Sequence, residues 1–145
     1  MYDVRSRYLA DAVATVGPAR LLTMLYDRLL VDIDRGEAAL RSGARPDATQ
    51  HLAHAQDIVS ELIASLNIGA WDGGPRLLSI YTFLLSELIE ASMAGDVEKV
   101  RACRDLVAPL ADAWHDAASS LAAEVPAPRP APSVESAGLG VLGVG

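Results

Sequence analysis

From Val100 to Leu121 the apolar residues recur at alternating steps of three and four: Val100, Cys103, Val107, Leu110, Trp114, Ala117 and Leu121. Only an α-helix, at 3.6 residues per turn, gathers such a series on one side; a strand would deal it to both faces. Three more segments read the same way. Leu22, Leu25, Leu29, Ile33 and Leu40 form one stripe, Leu52, Ala55, Val59, Leu62 and Leu66 a second, and Leu77, Tyr81, Leu84, Leu88 and Ala91 a third. The third carries Leu78, Leu85 and Ile89 on an adjacent arc, so it offers more apolar surface than one core stripe needs.

The separators are Gly17-Pro18, Ser42 to Pro46, Gly69 to Pro75 and Gly95-Asp96, where glycine and proline interrupt helix. Pro18 suits a first helical position because its missing N–H would be unpaired there, with Gly17 as an acceptable cap. Asp47 with Gln50 reads as a capping box, and Asp96 as the N-cap of the last helix. Pro109 removes a donor in mid-helix and presses on the Asp105 carbonyl, which predicts a local kink. Four such helices with short connections pack as an all-α, elongated antiparallel four-helix bundle.

Residues 1–16 form a short amphipathic arm, with Tyr2, Tyr8, Leu9, Val13 and Val16 apolar among charged neighbours. A helix this short is marginal alone and must lean on the bundle. Residues 126–145 hold Pro126, Pro128, Pro130 and Pro132 with four glycines, a composition that predicts a disordered tail outside the domain formed by residues 1–125. At 145 residues the chain suits one domain. Twelve Lys and Arg against nineteen Asp and Glu leave a net charge of -7, which would repel a phosphate backbone and excludes nucleic acid as partner. The single Cys103 cannot close an internal disulfide, no secretory leader is visible, and charged residues interrupt every long apolar run. A cytoplasmic chain with no membrane insertion is the expectation.

Catalytic constellations are sparse. None of Glu37, Glu61, Glu87, Glu90 or Glu98 has a histidine three residues later, so a carboxylate-bridged di-metal bundle is not encoded. His51 and His54 lie one turn apart with no third ligand nearby, so no metal is expected and a solvated helix face is the simpler reading. A histidine phosphotransfer bundle is the nearest chemical alternative, but LAHAQD follows His51 without the lysine and glycine that would admit phosphate. A generic scaffold bundle is the other. Asp112 and His115 read as a surface pair, and Cys103 as a buried hydrophobe. Gly73-Gly74 lacks the strand and lysine of a phosphate loop. The sequence predicts no catalytic residue and no cofactor, and favours binding over catalysis.

Read in order, Tyr8, Val13, Thr15, Pro18, Leu21 and TMLYD from Thr23 to Asp27 resemble the opening signature of the flagellar secretion chaperones called FliS. AQDIVSELIASLN from Ala55 to Asn67, then Gly73-Gly74 with Leu77, Leu78, Tyr81 and Phe83, are similar to later signatures. Ala91, Asp96, Leu106, Leu110 and Trp114 complete a likeness over residues 2 to 121. Gly17, Arg28 and Ser92 depart from the family's usual serine, glycine and asparagine. The resemblance implies a cytosolic export chaperone that binds the C-terminal segment of flagellin in an apolar groove, prevents premature polymerisation, and delivers it to an export gate component. It also implies an elongated bundle whose arm covers part of the groove when empty. Tyr8, Val13, Thr15, Pro18, Leu21, Met24, Tyr26, Gln56, Leu78, Tyr81, Leu85 and Ile89 are the candidates for groove and arm, with Met24 suited by its flexible thioether.

Overall fold

The computed structural model describes residues 18–124, and the arm and the tail expected from the sequence lie outside them. Within them the chain forms α1 (Pro18–Arg41), α2 (Arg45–Ser65), a 3₁₀ turn (Ile68–Ala70), α3 (Gly74–Ala94) and α4 (Val97–Glu124). Cross-helix pairs fix their directions. Asp34 meets Arg104 and Asp27 meets His115, so α1 and α4 run antiparallel. Arg45 at the start of α2 reaches the Ser92 and Met93 carbonyls at the end of α3, so these two are antiparallel as well. Each helix packs on its two chain neighbours, with α1 against α4 closing the square. At 1.5 Å per residue the 28-residue α4 is about 42 Å long, which makes the bundle elongated.

The four stripes meet along the axis. Leu29, Ile33, Leu52, Val59, Leu84, Leu88, Val100 and Val107 are fully buried, and Cys103 lies among them as the small hydrophobe its position predicted. Burial and the nearby Glu87 carboxylate push the Cys103 thiol up to about 12, so it is inert at neutral pH.

Boundaries follow local chemistry, with one correction. Helix α2 starts at Arg45, with Ala44 at the N-cap and no side-chain cap, and Asp47 sits inside the first turn. Pro46, pre-set in φ and lacking an N–H, starts the helix ahead of Asp47, whose charge still complements the helix dipole. Asp96 caps α4 as expected, its Oδ1 accepting from the Lys99 N–H at 3.1 Å. Gly95 ends α3 in the left-handed region at φ 66°, which only glycine enters at little cost. Pro109 lies inside α4, which is helical from Val97 to Glu124.

One polar feature sits within the packed faces. The Asp32 carboxylate is fully buried; its Oδ2 accepts from His54 Nδ1–H across α1 and α2, and its Oδ1 lies 3.3 Å from the Arg28 guanidinium with no hydrogen bond of its own. His54 is therefore not simply part of a solvated face. His115 likewise pairs with Asp27 at 2.7 Å on the neighbouring helix rather than with Asp112 on its own.

By length and composition α3 could cross a membrane. Its Leu77, Tyr81, Leu84, Leu88 and Ala91 face is buried against the other helices, however, and it serves here as a core helix.

Candidate functional site

Tyr26 on α1 stands opposite Trp114 on α4, their ring centroids 6.4 Å apart. The inward stripe of α4 is buried only as far as Ala111: Trp114 is half-buried, Ala117 is exposed, and the last apolar member, Leu121, is 52% exposed. The connection between α2 and α3 lies at the same end of the bundle. Its 3₁₀ turn leaves Ile68 43% and Trp71 51% exposed. Gly74 holds this connection close, because a Cβ there would strike the Ile68 carbonyl.

A cleft of about 170 Å³ opens between these parts, lined by Leu22, Leu62, Leu66, Trp71, Leu77, Tyr81 and Trp114, with Ser65, Asn67 and Ala70 at its edge. That is below the roughly 300 to 1,000 Å³ of sites for drug-sized ligands, and it suits one or two side chains of a peptide. Aromatic and aliphatic walls favour apolar contents through the area they remove from water.

Its floor is polar at one point. The Tyr26 and Tyr81 hydroxyls meet at 2.7 Å across the bundle diagonal, and both side chains are almost wholly buried. Burial raises both phenols above their ordinary range; hydrogen bonds from Tyr81 and Trp114 offset part of this at Tyr26, while the Tyr26 hydrogen bond raises Tyr81 further. Both stay protonated at any physiological pH.

A second apolar strip runs along the seam between α2 and α3. Helical spacing puts Leu78, Leu85 and Ile89 on the flank of α3 that faces α2, opposite Gln56 and Ile63. Leu85 and Ile63 are partly buried against the core, while Ile89 is exposed and Met93, one turn on, is the most exposed large hydrophobe described.

The sequence candidates are thus distributed over three places. Gln56, Leu78, Leu85 and Ile89 come together on the seam, and Tyr26 and Tyr81 belong to the core, Tyr81 also lining the cleft. Leu21 is half-buried on α1, and Met24 projects from the outer edge of that helix between Arg20 and Arg28, away from both cleft and seam. Pro18 opens α1 beside the cleft's pole, and Tyr8, Val13 and Thr15 lie outside the described residues. Sequence reasoning missed Leu22, Leu66, Trp71 and Trp114 as cleft walls. The available signal was the length of the α4 repeat, which runs on through Trp114, Ala117 and Leu121. Among the described residues no three His, Cys, Asp or Glu side chains cluster to hold a metal ion.

The chain is similar to known proteins over most of its length. The family model of the flagellar protein FliS matches residues 1–121. The flagellar secretion chaperone FliS of Escherichia coli (strain K12) is 26% identical over 108 residues, covering 73% of this chain and 79% of the relative. The flagellar secretion chaperone FliS of Bacillus subtilis (strain 168) is 26% identical over 113 residues, covering 78% and 84%.

Proposed function

Because the chain belongs to the FliS family, a family of flagellar secretion chaperones and not of enzymes, we propose that it is a cytoplasmic export chaperone for flagellin. It binds the C-terminal segment of the newly made subunit, keeps it from polymerising early and hands it to the flagellar type III export apparatus. The observation that carries this reading is apolar surface left open at the end of the bundle where the α4 stripe comes out of the core. Large exposed apolar surfaces on a folded body serve association. Trp71 stands half in solvent at a cleft sized for peptide side chains, Ile68 and Leu121 are exposed at the same end of the bundle, and the seam with Leu78, Leu85 and Ile89 adds a second apolar track.

The mechanism follows from burial and ordering. An unassembled client terminus is unstructured, so binding trades its conformational entropy against apolar surface removed from water, and the net affinity is the small difference. Such a balance gives tight yet reversible capture without nucleotide hydrolysis. In this reading Tyr8, Val13 and Thr15, upstream of Pro18, cover the cleft in the empty state and yield to the client.

The test is direct. Mixing the protein with a synthetic flagellin C-terminal peptide should give a one-to-one complex on size exclusion and added helicity by circular dichroism. Unchanged elution and an additive spectrum would refute the reading.

A further inference from the structure

The two indoles of the cleft are held differently. Trp114 is half-buried on α4 and packs against the Tyr26 ring. Trp71 stands on the irregular α2–α3 connection with half its surface in solvent, where a side chain is free to change rotamer unless something seats it. The seat is Gly73. The Gly74 N–H donates to the Trp71 carbonyl at 3.1 Å and closes a tight turn, with Gly73 as its third residue at φ −81° and ψ −8°. Those are ordinary type I values that most residues adopt, so the backbone does not ask for glycine there. The indole does. A Cβ on Gly73 would run into Cζ3, Cη2 and Cε3 of Trp71, on the six-membered side of the ring, and these are the three nearest atoms it would meet. The turn thus folds the ring back onto a bare Cα, and a methyl group would lift it off.

We propose that Gly73 is a positioning residue for client recognition: its missing side chain lets the Trp71 indole lie on the turn and fixes it as a wall of the cleft before any occupant arrives. Such preorganisation strengthens binding, because ordering a mobile side chain at the moment of association costs affinity. This deepens the peptide-binding reading and rests on it for the identity of the occupant. The atoms in the way of a Gly73 side chain are the far end of one side chain, so a methyl group there displaces the ring and leaves the backbone in place. Its consequence falls on binding more than on folding. Gly74 differs, since its Cβ would strike the backbone carbonyl of Ile68.

Four full-length proteins test this: wild type, Gly73→Ala, Trp71→Ala and the double variant, each titrated by calorimetry with a synthetic flagellin C-terminal peptide. Gly73→Ala should weaken binding about two- to tenfold, the effect of one side chain left to be ordered by the client. In the Trp71→Ala background the same change should have no further effect, since the methyl group no longer meets an indole. A defect of the helix cap would instead weaken both backgrounds alike, Gly73 being the N-cap of α3. In the NMR spectrum of the wild type, the Gly73 Hα that lies along the Cβ direction should carry a ring-current shift that Trp71→Ala abolishes. Wild-type affinity in Gly73→Ala, loss of its folded state, an equal loss of affinity in both backgrounds, or a Gly73 Hα signal that Trp71→Ala leaves in place would each overturn the proposal while the chaperone reading stands. A wild type that binds no flagellin peptide would remove the chaperone reading and this inference with it.

Discussion

Replacing His54 by Ala strips a partner from Asp32, the one buried acidic side chain among the described residues. Asp32 has no solvent exposure, and of its two oxygens one accepts from His54 and the other relies on the Arg28 guanidinium at 3.3 Å, whose side chain is 49% exposed. Removing one partner of a fully buried ion pair costs about 3 to 5 kcal/mol. Here Arg28 stays, and a half-exposed His54 leaves a path for water, so the hydrogen bond to a charged group sets the scale at about 2 to 3 kcal/mol. For a body of this size that lowers Tm by on the order of 8 to 15 °C. Urea unfolding of wild type, His54→Ala, Asp32→Asn and the double variant gives the coupling as well as the single costs. The reasoning fails if His54→Ala changes the unfolding free energy by less than about 0.5 kcal/mol, the range of ordinary surface substitutions.

Other perturbations have equally definite outcomes. Trp71→Ala combined with Leu121→Ser removes two half-exposed side chains, one lining the cleft and one near the end of α4; urea midpoints should hold steady while calorimetry shows weaker flagellin-peptide binding. Gly74→Ala forces the α2–α3 connection away from α3 and should cost about 1 to 3 kcal/mol, with Trp71 fluorescence shifting in the native state. Gly95→Ala places a side chain at φ 66° and should cost about 1 kcal/mol by thermal melting. The Cys103 thiol is pushed from an ordinary value near 9 up to about 12 by burial. Its folded form holds the proton more tightly than the unfolded chain, so this stabilisation is complete below pH 9 and is lost as pH rises toward 12. Cys103→Ala should flatten the decline of stability measured between pH 9 and 11, and iodoacetamide at pH 8 should label the native wild type far more slowly than the unfolded chain.

Helix number, order and inward faces were legible in sequence because periodicity is a local property. The stripes from Leu52 to Leu62, from Leu77 to Ala91 and from Val100 to Val107 are buried as spacing required. The start of α2 lies three residues before the one Asp47 suggests, because Asp47 is a good cap only if nothing upstream begins the helix first, and Pro46 does. Partners across helices were not legible. Asp32 and His54 are 22 residues apart, and Asp27 and His115 are 88 apart, so only the register of packed helices brings them together. The cleft was hidden for the same reason. It forms where Leu22, Trp71 and Trp114, from two helices and the α2–α3 connection, line one space, and no single stripe reports that juxtaposition. The seam was partly foreseen, since Leu78, Leu85 and Ile89 exceed what one core stripe uses.

The antiparallel up-and-down course has a practical corollary for anyone handling the molecule. Pro18 and Glu124 emerge at the pole that bears the cleft, whereas Gly43 and Gly95 turn the chain at the far one. A dye, bead or fusion partner joined to either helix end would crowd the recognition region, while a handle grafted at Ser42, exposed in the first turn, would leave that region unobstructed.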